Sequence, residues 1–338
     1  MSLIERVWKK GKDFLGVDYP IIAGGMTWIS NYELVKAVSD NKAFGVLASG
    51  NMPPDLFEEE VDRCVKGIDR PFGVNLITIA PNFEQLREIL KSKQVPVVIF
   101  AGSFPRKHHV EDMARAGKRT MAFASTKSIA DQMIRFGVDA LILEGSEAGG
   151  HIGYVSLTIL LQQVLFRVED VPIFVAGGIA TGGMVAHLLL MGAAGCQLGT
   201  RFVLSKECTA HENFKQAFIK ARARQAVSTP QYDSKLPVVP VRALKNKGMI
   251  EFGKLQLKIL REIEEGKISR DEAQYQVENY WVGSLKEAVI NGDIDYGSLM
   301  AGQSVGLVNE IKPIKEIIDE IVSDAETELE KVKARLCI

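Results

Sequence analysis

The sequence predicts an α/β protein, a (β/α)8 TIM barrel that carries a mainly helical cap subdomain and a C-terminal helix. Over the first two hundred residues, short apolar runs alternate with longer amphipathic segments, which is the pattern of βα units in a parallel sheet. Eight such runs occur, the number that closes a barrel. After about Lys206 the strand-like runs give way to long charged segments. An open doubly wound sheet is the alternative that this pattern leaves open.

Each predicted strand is a short apolar run with turn-forming residues nearby. The eight runs are Tyr19–Ala23, Ala43–Ala48, Pro71–Leu76, Val95–Ala101, Thr120–Ala124, Asp139–Leu143, Val171–Ala176 and Ala194–Leu198. Helical patterns lie between them, for example at Asn31–Asn41, Asp55–Lys66, Ser125–Phe136, Ser156–Phe166 and Thr181–Met191. Strand and helix therefore alternate regularly, as a barrel requires.

The change of pattern divides the chain into three segments. Residues 1–207 are predicted to form the barrel, residues 208–297 the helical cap and residues 298–338 a segment that returns to the barrel. We expect the cap to lie across the barrel mouth, because a segment of this length is too long to be a loop.

We expect the cap to contain helices at Glu212–Ala226 and Gly253–Trp281, and no further strands. An irregular stretch with several prolines, Thr229–Pro240, interrupts it. At the end of the chain, Pro313–Leu336 is predicted to be an amphipathic helix. Its isoleucines at 314, 317, 318 and 321 follow the i, i+3, i+4, i+7 spacing of a buried helix face.

Composition argues against several function classes. The 338 residues are 46% hydrophobic and 25% charged, as in a globular protein, and the net charge of −1 gives no general attraction to nucleic acid or to an anionic membrane. No apolar run approaches the roughly 20 residues of a membrane-spanning helix, and the first residues lack a secretory pattern. We therefore expect a cytoplasmic protein with no nucleic-acid or membrane partner.

The four cysteines, Cys64, Cys196, Cys208 and Cys337, are scattered along the chain. They form no CxxC pair and show no metal-ligand spacing. We predict reduced thiols and no metal site. Cys196 lies inside a predicted strand, where a cysteine usually acts as a small buried hydrophobic residue.

The most informative stretch is Glu144–Gly153, which reads EGSEAGGHIG. It places His151 behind the glycine pair Gly149-Gly150 at the end of a predicted strand, where barrel enzymes hold their catalytic residues. The pKa of an ordinary histidine lies near neutrality, and glycine lets the backbone approach a ligand closely. A surface histidine in a simple turn is equally compatible with this stretch alone.

Small residues follow the last two predicted strands. The loops after the seventh and eighth strands of such barrels often hold a phosphate on backbone N–H groups. Gly177, Gly178, Gly199 and Thr200 stand at these positions. The pair of loops favours a phosphate site over tight turns without a ligand.

The phosphate could belong to a sugar phosphate, a nucleotide or a flavin. Gln197 and Asn75 offer amide groups toward a heterocycle, and Met26 offers a surface for the face of a ring. These residues are compatible with a flavin without requiring one.

Together the motifs resemble the nitronate monooxygenase (2-nitropropane dioxygenase) superfamily of FMN barrels. The resemblance extends over almost the whole chain and is carried by GGMTW at 24–28, PFGVN at 71–75, EGSEAGGHIG at 144–153, AGGIA at 176–180, GTRF at 199–202 and MAGQ at 300–303. Within the superfamily the chain most resembles the enoyl-acyl-carrier-protein reductase II branch. The segments AHENFK at 210–215 and VRALKN at 241–246 support that branch, together with GGMTW, EAGGHIG and MAGQ.

The resemblance implies an FMN with its phosphate on Gly177, Gly178, Gly199 and Thr200. It implies contacts to the ring or ribityl chain at Gly25, Met26, Asn75, Gly149, Gly150 and Gln303. In the reductase branch, NADH reduces the flavin, hydride passes to C3 of a trans-2-enoyl thioester, and the histidine that matches His151 is the candidate for proton transfer. NADPH is the alternative co-substrate.

Two other functions stay open. A nitronate monooxygenase would oxidise alkyl nitronates with oxygen, with His151 beside the nitro group. A barrel that binds a flavin or a phosphate without catalysis is the third alternative.

We expect a small-molecule acyl substrate or one bound to acyl carrier protein, and a homodimer is compatible with the sequence. An acidic carrier protein would need a basic surface on the cap, for which the candidates are Lys215, Lys220, Arg222, Arg224, Lys245 and Lys247. His211, at the start of a predicted cap helix, is a further candidate for substrate contact.

Two stretches depart from the reductase pattern. Phe100–Pro105 replaces the usual Gly-Ala-Gly-Asn-Pro turn and adds Phe104, and Met121–Ala124 replaces Val-Pro-Val-Val. We expect these changes to alter the shape of the substrate pocket beside the cofactor.

Overall fold

The computed structural model describes residues 2–50, 52–236 and 239–337. Eight parallel strands close into a barrel, and the pairing of Ile22 with Gln197 joins the last strand to the first. The barrel strands are β1 (Ile21–Ala23), β2 (Phe44–Ala48), β3 (Gly73–Ile77), β4 (Val97–Ala101), β5 (Arg119–Ala124), β6 (Ala140–Glu144), β8 (Ile173–Ala176) and β9 (Gly195–Leu198). The predicted barrel is confirmed, and each predicted strand boundary lies within two residues of the observed one.

The barrel strands are buried on both faces, which explains their continuous apolar runs. Alternate residues such as Val97 and Ile99 belong to a cluster that fills the barrel interior. The intervening residues, such as Val98 and Phe100, join the larger cluster between the sheet and the surrounding helices. Neither face of a strand therefore tolerates a charged side chain, except at the strand ends.

The helices around the barrel begin at residues with capping side chains. Asn31, Thr126 and Thr181 each accept a hydrogen bond from the backbone N–H three residues ahead, which satisfies one unpaired donor of the first turn. The helices are α1 (Leu3–Val7), α2 (Lys9–Leu15), α3 (Tyr32–Asp40), α4 (Pro54–Gly67), α5 (Phe83–Ser92), α6 (Lys107–Arg115), α7 (Lys127–Phe136), α8 (Leu157–Leu160), α9 (Gly182–Leu190) and α10 (Thr200–Val203). The helix predicted at Ser156–Phe166 continues past α8 as a π-helical turn, Leu161–Leu165.

The cap helices are shorter and more numerous than predicted. They are α11 (Glu212–Lys220), α12 (Lys247–Glu264) and α13 (Arg270–Lys286). The single helix expected at Gly253–Trp281 is wrong, because Gly266 takes a left-handed conformation and Ser269 caps a new helix with Glu272. The two helices then pack against each other through Phe252 and Trp281, with ring centroids 4.2 Å apart.

The expectation of no strand beyond the barrel region is also wrong. A second sheet is formed by β7 (Gly150–His151), β11 (Val241–Leu244) and β10 (Ala226–Ser228), all antiparallel. The helix expected to reach Ala226 ends at Lys220. These strands of two to four residues are too short to show an alternating pattern, and they pair only because the cap folds back on the β6 loop.

The C-terminal helix is confirmed as α14 (Ile314–Leu336). Its four predicted isoleucines are buried, and the helix packs against α9. Within the described residues, no helix combines the length and the apolar character that a membrane crossing demands.

We expect Gly195→Ala to destabilise the barrel. A Cβ at Gly195 would lie 2.2 Å from the carbonyl oxygen of Pro20 and 2.9 Å from the ring of Phe174, so strand β9 would have to shift. Overpacking of this kind costs about 1–3 kcal/mol of unfolding free energy. Urea denaturation of the variant and the parent measures it.

Gly183→Ala is the matched control, because a Cβ at Gly183 on α9 meets no atom within 4 Å. Alanine in a helix should leave the stability unchanged or raise it by up to about 1 kcal/mol. Equal effects of the two substitutions would contradict the close packing of β9 at Gly195 against Pro20 and Phe174.

Candidate functional site

The carboxyl ends of the barrel strands open into a cavity of about 990 Å³. The strand-end loops form one side of the cavity, and a face of helix α13 forms the other. The lining contains nearly all of the predicted site residues, namely His151, Gly25, Met26, Asn75, Gly149, Gly150, Gly177, Gly178, Gln197, Gly199 and Thr200. The structure thus brings residues from the carboxyl ends of five strands, β1, β3, β6, β8 and β9, to one place.

Gln303 is the predicted site residue that does not line this cavity. It begins a 3-10 turn, and its backbone N–H donates to the carbonyl of Glu147 at 2.9 Å. Its neighbours Gly302 and Ser304 do border the cavity. The MAGQ turn is therefore at the site, while a cofactor contact from Gln303 stays a prediction.

Gly149 is required by packing within the protein. A Cβ there would lie 2.5 Å from the backbone nitrogen of Gly302, so glycine allows the MAGQ turn to lie directly against the β6 loop. Gly150 has a φ of 76° and turns the chain into β7. The glycine pair thus fixes the position of His151 in addition to bordering the cavity.

The turn after β8 consists of two glycines, so no side chain covers its backbone. Gly177 and Gly178 have φ values of 97° and 72°, and a Cβ at Gly177 would lie 2.9 Å from the carbonyl of Gly145. Close by in the lining, the hydroxyl of Thr200 accepts the N–H of Gly302 at 3.0 Å and keeps its own hydrogen as a donor. Small residues with available donors fit a phosphate group.

The polar groups near β1 and β3 fit a heterocycle. The side chain of Asn75 is buried, and its Oδ1 has no partner among the described residues. A buried carbonyl oxygen without a donor is unfavourable, and a ring N–H would satisfy it. A Cβ at Gly25 would lie 2.8 Å from the Cβ of Asn75, so only glycine keeps this surface open.

Glu144 stands at the last position of β6 and borders the cavity. Burial raises the pKa of this carboxyl from its ordinary value of 4.5 to about 8. Glu144 is therefore mostly protonated at neutral pH and can donate a hydrogen bond into the cavity. The sequence contained a signal for this role, a carboxyl group that ends a buried strand.

His151 lies in β7, where its backbone is paired with that of Val241. Its Nε2 lies 3.1 Å from Oε2 of Glu278 on α13. The side chain of His151 is 26% exposed to solvent and that of Glu278 is 14% exposed, so this pair is partly shielded. No sequence pattern points to Glu278, because 127 residues separate it from His151 and only the cap fold brings them together.

The face of α13 toward the cavity changes in polarity along the helix. Asp271, Gln274 and Glu278 line the cavity from its first part, and Val282 and Leu285 from its last turns. On an adjacent face, residues 273, 277 and 281 pack in the apolar cluster of the cap, which fixes the rotation of the helix. The cavity thus has a polar side near Asp271 and an apolar side near Leu285.

The opposite wall of the cavity is also apolar. It is formed by Ile77, Ile79, Pro81, Phe104, Phe123 and Ile129. Phe104 and Phe123 come from the two stretches that depart from the reductase pattern, so both departures reach the cavity. Among the described lining residues there is no lysine or arginine, and the carboxyl groups are those of Glu144, Asp271 and Glu278.

Several residues singled out in the sequence lie elsewhere. Lys215 is buried and donates to the carbonyls of Ser205 and Cys208, so its inclusion in a basic surface is wrong. His211 caps α11 and is outside the cavity lining. Burial raises the pKa of Cys196 to about 12, which leaves that thiol unreactive.

The chain is similar in sequence and structure to proteins of one known family. A model of the nitronate monooxygenase family matches residues 9–86 and 77–324. The solved structure of FabK from Thermotoga maritima is similar with a TM-score of 0.85 and 34% identity, over 96% of this chain and 98% of that chain. The nitroalkane oxidase of Streptomyces ansochromogenes is similar with a TM-score of 0.79 and 25% identity, over 95% and 99% of the two chains.

A sequence relative from Mycobacterium tuberculosis is 28% identical over 348 residues, which cover 95% of this chain and 97% of the relative. It is the (3aS,4S,5R,7aS)-5-hydroxy-7a-methyl-1-oxo-octahydro-1H-indene-4-carboxyl-CoA dehydrogenase. Because these similarities extend over nearly full length, they include the barrel, the cap and the C-terminal segment.

We expect Glu144→Gln to remove part of the pH dependence of stability. The folded protein holds a proton on Glu144 that the unfolded chain releases above a pH of about 4.5, so raising the pH favours unfolding. This contribution is fully present below pH 4.5 and is lost as the pH rises through about 8.

Urea denaturation of cofactor-free protein at about pH 5 and about pH 8 measures this effect. Between about pH 5 and about pH 8, the free energy of unfolding of the parent should fall by a few kcal/mol relative to that of the variant. This corresponds to about 1.4 kcal/mol for each pKa unit. Parallel stability curves for the two proteins would contradict a neutral Glu144.

Proposed function

Because the chain belongs to the nitronate monooxygenase family of flavin oxidoreductases, we propose that it is an FMN- and NADH-dependent reductase of trans-2-enoyl thioesters. The proposed reaction is that of an enoyl-acyl-carrier-protein reductase in fatty-acid synthesis. The similarity to FabK supports this choice, since its identity of 34% exceeds the 25% shared with the nitroalkane oxidase. The observation that carries the proposal is a cavity with two apolar walls and no lysine or arginine in its described lining, beside a single histidine.

The cavity wall favours an acyl group over an anion. A nitronate is negatively charged, and a buried anion is unfavourable without a positive partner. The lining offers His151 as its one source of positive charge, and Glu278 already neutralises it. An acyl chain, in contrast, gains about 0.8 kcal/mol for each methylene that is buried against Phe104, Phe123 and the neighbouring isoleucines.

A thioester substrate is also consistent with the relatives. The Mycobacterium tuberculosis relative acts on a carboxyl-CoA, which is a thioester. FabK and this relative together support acyl thioester chemistry for the proposed activity.

The residues present fit an FMN, as the free oxygen of Asn75 and the bare turn at Gly177-Gly178 indicate. When bound, the flavin supplies hydride chemistry between NADH and the substrate. His151 holds a proton at the cavity wall and delivers it to the carbon next to the thioester carbonyl, C2, as hydride reaches C3. Helix α13 forms the wall of the cavity that faces the strand-end loops.

Nitronate monooxygenation is the second candidate. It is favoured by the family model and by the similarity to the nitroalkane oxidase. In that case, a protonated His151 would pair with the nitronate, and Glu278 would have to release it. A barrel that only binds flavin or phosphate is the third candidate.

Two substrates separate these functions. We expect the purified protein to bind FMN and to be reduced by NADH under anaerobic conditions, and crotonyl thioester to reoxidise it within the catalytic turnover time. Stopped-flow absorbance of the flavin measures both half-reactions, and a parallel series with NADPH gives the coenzyme preference. Oxygen uptake with propionate 3-nitronate should be at the background rate. If crotonyl thioester does not reoxidise the reduced flavin, the reductase proposal is wrong.

We expect His151→Ala to lower turnover of the enoyl thioester about 10²- to 10⁴-fold, the usual contribution of general acid catalysis. Reduction of the flavin by NADH should continue, because that half-reaction needs no proton from His151. A pure binding protein would show no turnover to lose. His187→Ala is the control, since His187 pairs with Glu328 outside the cavity lining. Its turnover should match that of the parent.

A further inference from the structure

Glu278 is the cap residue in contact with the proposed catalytic histidine. It lies on the face of α13 that borders the cavity, one helical face with Asp271, Gln274 and Val282. Packing of Val277 and Trp281 against α12 fixes the rotation of the helix and so aims Glu278 toward His151. The cap thereby contributes a side chain to the machinery at the barrel mouth.

The position of His151 is determined by two separate constraints. The β7–β11 pairing opposite Val241 fixes its backbone, but a strand leaves the ring free to rotate about its side-chain torsions. The 3.1 Å contact from Nε2 to Oε2 of Glu278 fixes the ring. Removing the carboxyl group would release the ring while leaving the backbone in place.

The contact also selects one form of the ring. A carboxylate only accepts hydrogen bonds, so Nε2 must carry the hydrogen that faces Glu278. Within the described residues, Nδ1 of His151 has no hydrogen-bond partner. A buried carboxylate that orients a histidine also stabilises the charged ring, as the third group of a catalytic triad does.

We infer that Glu278 is the positioning residue for His151: it holds the ring with Nε2–H toward the cap and leaves Nδ1 to exchange a proton with the substrate. The inference rests on the proposed function for the role of that proton. In the reduction step, the Nδ1–H bond of the charged ring breaks and a C–H bond forms at C2 of the acyl group. The neutral ring that results keeps its hydrogen at Nε2 and regains the other from solvent.

The second oxygen of Glu278, Oε1, is buried without a partner among the described residues. A carboxylate that served only as a surface ion pair would keep both oxygens in water. Here one oxygen contacts His151 and the other is shielded from water, so His151 is the one hydrogen-bond partner of this carboxyl group among the described residues.

NMR of flavin-bound protein with nitrogen-labelled histidine tests the inference without any assay of turnover. The chain has five histidines, and the spectrum of His151→Ala identifies the signal of His151. We expect the neutral ring of the parent to carry its hydrogen at Nε2, and Glu278→Leu to give a mixture of both forms. A parent ring with its hydrogen at Nδ1, or a signal unchanged in the variant, overturns the inference. The parent spectrum decides the question even if the variant fails to fold.

Kinetics of four proteins then test the role in catalysis: the parent, Glu278→Leu, His151→Ala and the double variant. We expect Glu278→Leu to lower kcat at least about tenfold in the parent, and by no more than the roughly 10²- to 10⁴-fold loss that general acid catalysis contributes. In the His151→Ala background, it should change kcat by less than about twofold, because its partner is already absent. Equal losses in both backgrounds would show a merely structural role and overturn the inference.

Glu251→Leu is the matched control, because Glu251 is a cap glutamate in an exposed ion pair with Lys254. It removes the same charge from the cap and should leave both kcat and the spectrum of His151 unchanged. A loss equal to that of Glu278→Leu would assign the effect to the charge of the cap and overturn the inference. If the parent does not reduce enoyl thioesters at all, the proposed function fails, while the tautomer of His151 still decides the role of Glu278.

Discussion

Closure of the parallel barrel is the constraint on which the site depends. Strand β9 must pair with β1, and it can do so only because Gly195 lets the strand approach Pro20 and Phe174 closely. Once the barrel is closed, the carboxyl ends of all its strands meet at one rim. Residues far apart in the sequence, such as Asn75 and Thr200, then line one cavity. The site is therefore a direct consequence of the sheet topology.

The cap supplies the second wall of the cavity at the barrel rim. The rim supplies bare glycine turns, a neutral carboxyl at Glu144 and the backbone position of His151. Helix α13 supplies Glu278 and an apolar wall, so the cavity is enclosed between two parts of the fold. The short antiparallel sheet connects them, because β7 carries His151 and pairs directly with β11 of the cap. His151 thus lies at the point where the strand-end loops of the barrel meet the cap.

The polarity of the cavity narrows the range of functions within the family. Its described lining has no lysine or arginine, and the carboxyl of Glu278 is paired with the histidine. A surface of this kind favours an uncharged acyl group over a free anion. Phe104 and Phe123 lie on its apolar wall, at two places where the sequence departs from the reductase pattern.

The sequence by itself determined the barrel, the C-terminal helix and the placement of nearly all predicted site residues at the strand ends. Those features follow from local signals: an apolar run, a glycine after a strand, an isoleucine repeat such as that beginning at Ile314. Only the tertiary structure decided the break at Gly266, the β7–β11 sheet and the contact between His151 and Glu278. The short strands gain their hydrogen bonds only from partners distant in the chain, and Glu278 stands in an ordinary charged helix. Its role arises when the packing of α13 turns that side chain toward the barrel, and no local pattern carries that information.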